Sequence, residues 1–261
     1  MVLTVESGTP NWVDLATSDL DGARRFYSGL LGWNCREVPQ GDTGTYAIFD
    51  KDGSAVAGLG PPATPGQPST WSVYVSTDDA DSAADRVQAA GGDVLVDPFD
   101  VTDQGRMAVF ADPAGAAFSV WQPKLMKGAE LLNAPGSLTW NELTTPDQEG
   151  AKEFYELVFG WQPEEEPIEQ PDQELIYTSW RLGNRFVAGM MPTFDPNWPD
   201  GLPAYWAVFF EVDDVDAAAA RCRELGGVVM VPPRELPAGR LAVLNDPQGA
   251  SFCVITPGSP D

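Results

Sequence analysis

Two stretches decide the fold: GTPNWVDLATSDLDGARRFYSGLLGW at residues 8–33, and GSLTWNELTTPDQEGAKEFYELVFGW at residues 136–161. Trp12 matches Trp140, Phe26-Tyr27 matches Phe154-Tyr155, and Gly32-Trp33 matches Gly160-Trp161, always 128 residues apart. Repetition at a fixed interval marks a duplicated architecture. The match resumes downstream at a wider interval. Asp78-Asp79 pairs with Asp213-Asp214 and Gly91-Gly92 with Gly226-Gly227, both 135 apart, and Asp112-Pro113 with Asp246-Pro247, 134 apart. The second half therefore carries extra chain between these blocks. The sequence offers 164–173 and 192–203 as longer loops, and a seam between halves near 122–136.

Each half divides again. Residues 12–17 alternate as a strand. Asp19 is placed to cap a helix that runs to about Leu31 and stops at Gly32. Strands follow at 45–49 and 55–59 around the turn Asp52-Gly53, then a Pro/Gly-rich connection at 60–68. The pattern restarts with a strand at 71–75, a helix at 80–90, and strands at 107–110 and 118–121 around Asp112-Pro113. The second half gives strands at 139–143, 176–181, 186–190, 205–212, 241–244 and 252–255, with helices at 148–159 and 215–225. A βαβββ module of roughly fifty residues is too small to bury a sheet face alone. The expectation is an α+β fold: four βαβββ modules forming two curved, eight-stranded, cup-shaped sheets with helices outside. Domain boundaries follow as 1–122 (modules about 10–60 and 69–122), a linker at 123–136, and 137–261 (modules about 137–191 and 203–257). Modules pair within a half, or the first with the fourth and the second with the third; the sequence leaves both open.

Composition excludes several functions. The 261 residues carry 39 acidic and 15 basic side chains, a net charge of −24. Such a chain has no basic surface for nucleic acid and none for an anionic membrane. Its field attracts cations. The N-terminal residues have neither the basic nor the apolar segment of a secretory signal, and no apolar run is long enough to span a bilayer. Three cysteines, Cys35, Cys222 and Cys253, make neither a disulfide framework nor a zinc knuckle, which points to a reducing cytoplasm. The chain has no histidine. Ser-His-Asp and Cys-His catalysis are therefore excluded, along with the commonest metal ligand and general base.

The order SDLDGARRFYSGLLGW, DDADSAADRVQAAGG, RMAVFADPAGAAFSVW, and its second copy PDQEGAKEFYELVFGW, DDVDAAAARCRELGG, RLAVLNDPQGASFCVI, resembles the vicinal-oxygen-chelate superfamily. That superfamily includes glyoxalases, extradiol dioxygenases, methylmalonyl-CoA epimerase, and bleomycin and fosfomycin resistance proteins. The resemblance covers nearly the whole chain and is nearest in style to tandem, actinobacterial glyoxalase-like proteins. It implies metal ligands at Trp12, Ser72 and Ser119 in the first half and at Trp140, Ala207 and Cys253 in the second. The family pattern wants His, Gln or Glu there. Only Cys253 is a ligand type, and one thiol is no site, so the expected metal and cofactor content is none.

Strand alternation then brings Asp14 to the face of Trp12, Tyr74 to that of Ser72, and Trp121 to that of Ser119. In the second half Glu142 joins Trp140, Phe209 and Glu211 join Ala207, and Ile255 joins Cys253. An aromatic lining with one acid beside each first-strand Trp suits a flat or cationic organic ligand. The first functional expectation is metal-free binding of a small aromatic or cationic metabolite or antibiotic, as in drug resistance. The second is a metal-free enzyme of secondary metabolism, an isomerase, cyclase or hydroxylase-like protein, with Asp14 or Glu142 as acid or base. The third is an interaction protein with vestigial cups. Monomer and homodimer both stay open. Phe26-Tyr27 and Phe154-Tyr155 read as helix-to-sheet packing, the Asp-Pro-x-Gly segments as turns, and Arg106 and Arg240 as surface or structural cations.

Overall fold

Asp19 starts the first helix by accepting a hydrogen bond from the Gly22 amide, and Gly32, at φ 70°, ends it with its N–H on the Ser28 carbonyl. A left-handed residue at this place is strained for anything but glycine. Asp147 and Gly160 repeat the arrangement. Asp79 and Asp214 cap the remaining two helices.

The structure, a computed structural model, describes residues 6–39, 45–170, 173–193 and 204–258. The first module holds β1 (Pro10–Ala16), α1 (Leu20–Leu31), β2 (Asn34–Pro39), β3 (Thr45–Lys51) and β4 (Ser54–Gly60). The second holds β5 (Thr70–Ser76), α2 (Ala80–Ala89), β6 (Asp93–Val101), β7 (Gly105–Ala111) and β8 (Ala117–Pro123). The third holds β9 (Leu138–Thr145), α3 (Gln148–Phe159), β10 (Gln162–Gln170), β11 (Gln173–Leu182) and β12 (Arg185–Pro192). The fourth holds β13 (Tyr205–Glu211), α4 (Val215–Glu224), β14 (Val228–Leu236), β15 (Gly239–Asn245) and β16 (Ser251–Pro257). The order βαβββ thus recurs four times. The strands form two open, mixed, eight-stranded sheets, β2-β3-β4-β1-β5-β8-β7-β6 and β10-β11-β12-β9-β13-β16-β15-β14. The class is α+β, as the sequence predicts.

The strands β2, β6, β10 and β14 escaped sequence reading. Each lies at a sheet edge, and β6 and β14 are mostly exposed along their length, so neither shows a clean apolar alternation. The 164–173 segment is a correction. Its described part is strand rather than loop: β10 pairs with β11 from Gln162↔Arg181 to Gln170↔Gln173. The edge strand has nine residues where β2 has six. Glu164 and Glu165 are held on it by Arg181 and Lys152. Of the other proposed loop, residues 194–203 lie outside the described residues.

By packing, the chain divides into two compact units. One comprises Trp12–Ser72, Ala129–Thr139 and Ala207–Asp261. Its core gathers Tyr27, Trp33, Phe49, Trp71, Phe210 and Phe252 at ring separations of 5.1–6.4 Å. Inside it the Tyr27 hydroxyl accepts from Trp71 Nε1 at 3.0 Å and donates to Asp246 Oδ2 at 3.1 Å. Asp246 opens the Asp-Pro-x-Gly turn, and its other oxygen accepts from the Gln248 and Ala250 amides. The turn reading holds, and the same aspartate also secures α1.

The other unit comprises Met1–Asn11, Val73–Gly128 and Trp140–Trp206. It repeats the device: the Tyr155 hydroxyl accepts from Trp206 Nε1 at 2.9 Å and donates to Asp112 Oδ2 at 3.1 Å. Asp112 caps its own turn through the Ala114 and Ala116 amides. Burial pushes both carboxyls up, opposed by these donors. Arg106 and Arg240 each grip the first-turn aspartate of a helix, Asp81 and Asp216, through two nitrogens, the structural use expected of them.

Replacing Tyr27 or Tyr155 by Phe leaves a buried carboxylate and an indole N–H short of a partner. Each change is expected to cost about 2 kcal/mol in urea unfolding followed by tryptophan fluorescence. Stability is also expected to fall above about pH 10. Burial raises both phenols far above their ordinary range, so the unfolded chain loses these protons first and is favoured as the pH climbs.

Candidate functional site

Strand β1 alternates between two environments. Val13 and Leu15 are fully buried on one side, while Trp12 and Asp14 project to the other face, as the sequence predicts for a common face. There they meet a residue the sequence reading missed. Trp12 Nε1 donates to the Tyr46 hydroxyl at 3.4 Å, and that hydroxyl donates to Asp14 Oδ2 at 3.5 Å. Tyr46 comes from β3, with β4 between it and β1. The hydroxyl reaches across because Gly58 of β4, the register partner of Asp14, has no side chain. A Cβ there would overlap the hydroxyl and stand 2.7 Å from Tyr46 Cζ. The two bonds are long, in keeping with a constellation shaped by packing as much as by polar contact.

The third module builds the same constellation. Trp140 Nε1 donates to the Tyr177 hydroxyl at 3.0 Å, and that hydroxyl is hydrogen-bonded to Glu142. Gly189, opposite Glu142 in register, supplies the opening. A Cβ on it would overlap the Tyr177 hydroxyl and stand 2.7 Å from Trp140 Nε1. Burial first, then the neighbouring carboxylate, lifts both phenols far above their usual range. Each tyrosine is therefore a neutral hydrogen-bond donor throughout the biological pH range. The arrangement presents an indole, a phenol and a half-buried carboxylate in one hydrogen-bonded row. Such a row orients a ligand donor on the acid and a flat ring on the aromatics.

A signal for the missing members does exist in the sequence. Tyr46 precedes Gly58 by the same twelve residues that separate Tyr177 from Gly189. The repeat was legible, but its purpose was not, because only the ladder shows that the ring crosses a strand.

The remaining predicted residues fall as follows. Ser72 is half-buried on β5, and Tyr74, on the same strand, is buried and faces Ser119 of β8 in register. Trp121 is buried on β8, lies against Gly105 and donates its indole N–H to the Met126 carbonyl at 2.9 Å. Ala207 is half-buried on β13, and Phe209 faces Cys253 of β16, both buried. The Glu211 backbone bonds Gly136 and Ser137.

The positions that the resemblance assigns to metal ligands do not fit a metal. The Trp12 and Trp140 indoles donate to tyrosines and have no lone pair to offer. Ala207 has no donor atom, and Cys253 is a single buried thiol, paired in register with Phe209. Among the described residues, no group of three or more His, Cys, Asp and Glu is placed to hold an ion.

The profile of the Glyoxalase/Bleomycin resistance protein/Dioxygenase superfamily matches residues 9–120 and again residues 137–254. The chain belongs to this superfamily. Among similar proteins, CFP32 of Mycobacterium bovis, whose name provisionally labels it a glyoxylase, is 42% identical over 96% of this chain and 95% of its own. The anthracycline biosynthesis protein DnrV of Streptomyces peucetius is 40% identical over 95% of this chain and 93% of its own. Among solved structures, the Mn(II)-bound glyoxalase of Novosphingobium aromaticivorans aligns with a TM-score of 0.63 at 21% identity, covering 95% of this chain and 82% of its own. At that identity the likeness speaks for the fold. Membership of the superfamily thus coexists with Trp, Ser, Ala and Cys at the positions that the resemblance assigns to metal ligands.

A Gly189→Ala change is expected to push the Tyr177 hydroxyl off Trp140 and Glu142. Spectrophotometric titration at 295 nm would then show one phenol ionising nearer pH 10 than in the wild type. The Gly58→Ala change is expected to do the same for Tyr46.

Proposed function

We propose that this superfamily member binds a flat aromatic or cationic organic molecule, without a metal, at the face built by a tryptophan, a tyrosine and an acid. The repeated row of Trp12, Tyr46 and Asp14, and of Trp140, Tyr177 and Glu142, carries the reading. Two modules of different sequence keep the same three chemical groups and the same enabling glycine. The other residues predicted to line the ligand, Ser72, Tyr74, Ser119, Trp121, Ala207, Phe209, Glu211 and Cys253, supply further aromatic and small neutral surface in this reading. The net charge of −24 favours a cation by long-range attraction. The three free cysteines suit a reducing, cytoplasmic setting. No described helix is long and apolar enough to cross a membrane.

A second reading has its own support. DnrV and DauV, both about 40% identical, are named anthracycline biosynthesis proteins. A role in making an aromatic natural product would make Asp14 or Glu142 an acid or base toward a bound ring, with the neighbouring phenol holding the carboxylate in place. The reaction class would be isomerisation, cyclisation or a hydroxylase-like step that needs no metal.

Native mass spectrometry of the purified chain, compared with its denatured mass, is the test. A retained organic mass is expected, and the Asp14→Asn/Glu142→Gln double variant is expected to lose it. Retention of one divalent metal per chain, with no organic mass, would overturn the metal-free reading. Conversion of the bound molecule by the wild type but not by the double variant, with binding kept, would decide for the enzyme.

A further inference from the structure

The two triads are alike in chemistry and unlike in the access of their tryptophan. Ala47 faces Leu59 across the β3–β4 ladder, so Tyr46 lies beside Gly60. A Cβ on Gly60 would stand 3.2 Å from Tyr46 Cδ2. The Tyr46 ring therefore rests on two glycines, Gly58 under its hydroxyl end and Gly60 under its root. Thr178 faces Met190 across the β11–β12 ladder, so Tyr177 lies beside Met191. Here only the hydroxyl end has a glycine beneath it.

The indoles differ accordingly. Trp12 is 2% exposed and has no ring face left to offer. Trp140 is half-buried; the tyrosine and the acid are half-buried in both triads, so the indole alone sets them apart. Stacking needs an accessible ring face, and a cation held against that face gains from both the quadrupole and a nearby carboxylate. Glutamate also reaches one methylene further than aspartate from an equivalent strand position.

We infer that the two triads have separate tasks: Trp140, Tyr177 and Glu142 form the platform for one flat organic cation per chain, and Trp12, Tyr46 and Asp14, whose indole is covered, form a strut with no ring face of the tryptophan to offer. Gly60 and Met191 set the difference. A glycine beside the tyrosine leaves room for the tryptophan to be covered. A methionine takes up that room and leaves its tryptophan open. The inference rests on the binding reading above and deepens it by naming the ligand shape, the stoichiometry and the residues that decide them.

The test uses the full chain and 9-aminoacridine, a planar aromatic cation. N-bromosuccinimide oxidation with peptide mass mapping, run on the free protein, is expected to modify Trp140 well before Trp12. Native mass spectrometry is expected to show one probe per chain. The probe should protect Trp140, and Glu142→Gln should weaken binding at least about ten-fold, the scale of one lost charge-assisted contact. In a Gly60→Met variant that keeps its circular dichroism spectrum, Trp12 is expected to become reactive and a second probe to bind. Equal oxidation of the two tryptophans, or two probes of equal affinity on the wild type, would overturn the division of tasks and leave the binding reading standing. A folded Gly60→Met variant with Trp12 still unreactive would remove Gly60 from the account. No probe bound at millimolar concentration would overturn both readings for flat cations.

Discussion

Each compact unit is held by a buried tyrosine hydroxyl that serves two partners from distant parts of the chain. Tyr27 joins Trp71 to Asp246, and Tyr155 joins Trp206 to Asp112. A hydroxyl has one hydrogen to give and lone pairs to accept, so a single atom satisfies an indole donor and a carboxylate acceptor at once. In a core otherwise made of stacked and edge-on rings, an unmatched member of this set would be costly. The bond fixes where a helix lies against a turn far away in sequence, and the strand faces are positioned from there.

The same three groups reappear on the opposite faces of the first strands, with a different consequence. In the cores the row is sealed and serves cohesion. On the strand faces it depends on a glycine that lets a tyrosine ring cross a neighbouring strand, and there the carboxylate keeps part of its surface. Gly58 and Gly189 are required for space rather than for backbone conformation, since any Cβ at either position collides with the phenol. The row and its glycine thus form one structural unit, carried by strands that a module must build in any case.

Charge divides in a similar way. Most ion pairs are exposed contacts along helices and edge hairpins, each worth little. The two bidentate grips of Arg106 on Asp81 and Arg240 on Asp216 tie a strand to the first turn of a helix at equivalent places. Fifteen basic residues against 39 acidic ones leave much negative charge uncompensated, and that excess shapes which ligands approach rather than which fold forms.

The resemblance supplied the superfamily and the edge strand of each βαβββ module; the sequence by itself determined the four-fold repeat of a strand, a helix and two further strands, and the helix cap at Asp19. These follow from local periodicity, capping chemistry and repetition, which need only neighbouring residues. It also placed Trp12 with Asp14 and Trp140 with Glu142, because a strand alternates by two. The edge strands β2, β6, β10 and β14 were not legible, since a strand paired on one side has no need of a clean apolar pattern. Tyr46 and Tyr177 were not legible as site members either. Their membership depends on a ring passing over a glycine of an intervening strand, and that neighbour is set by register. Tertiary structure likewise decided that Trp12 is covered and Trp140 only half so. Two matched residues in a repeat share a strand position, but their burial is decided by what packs over them.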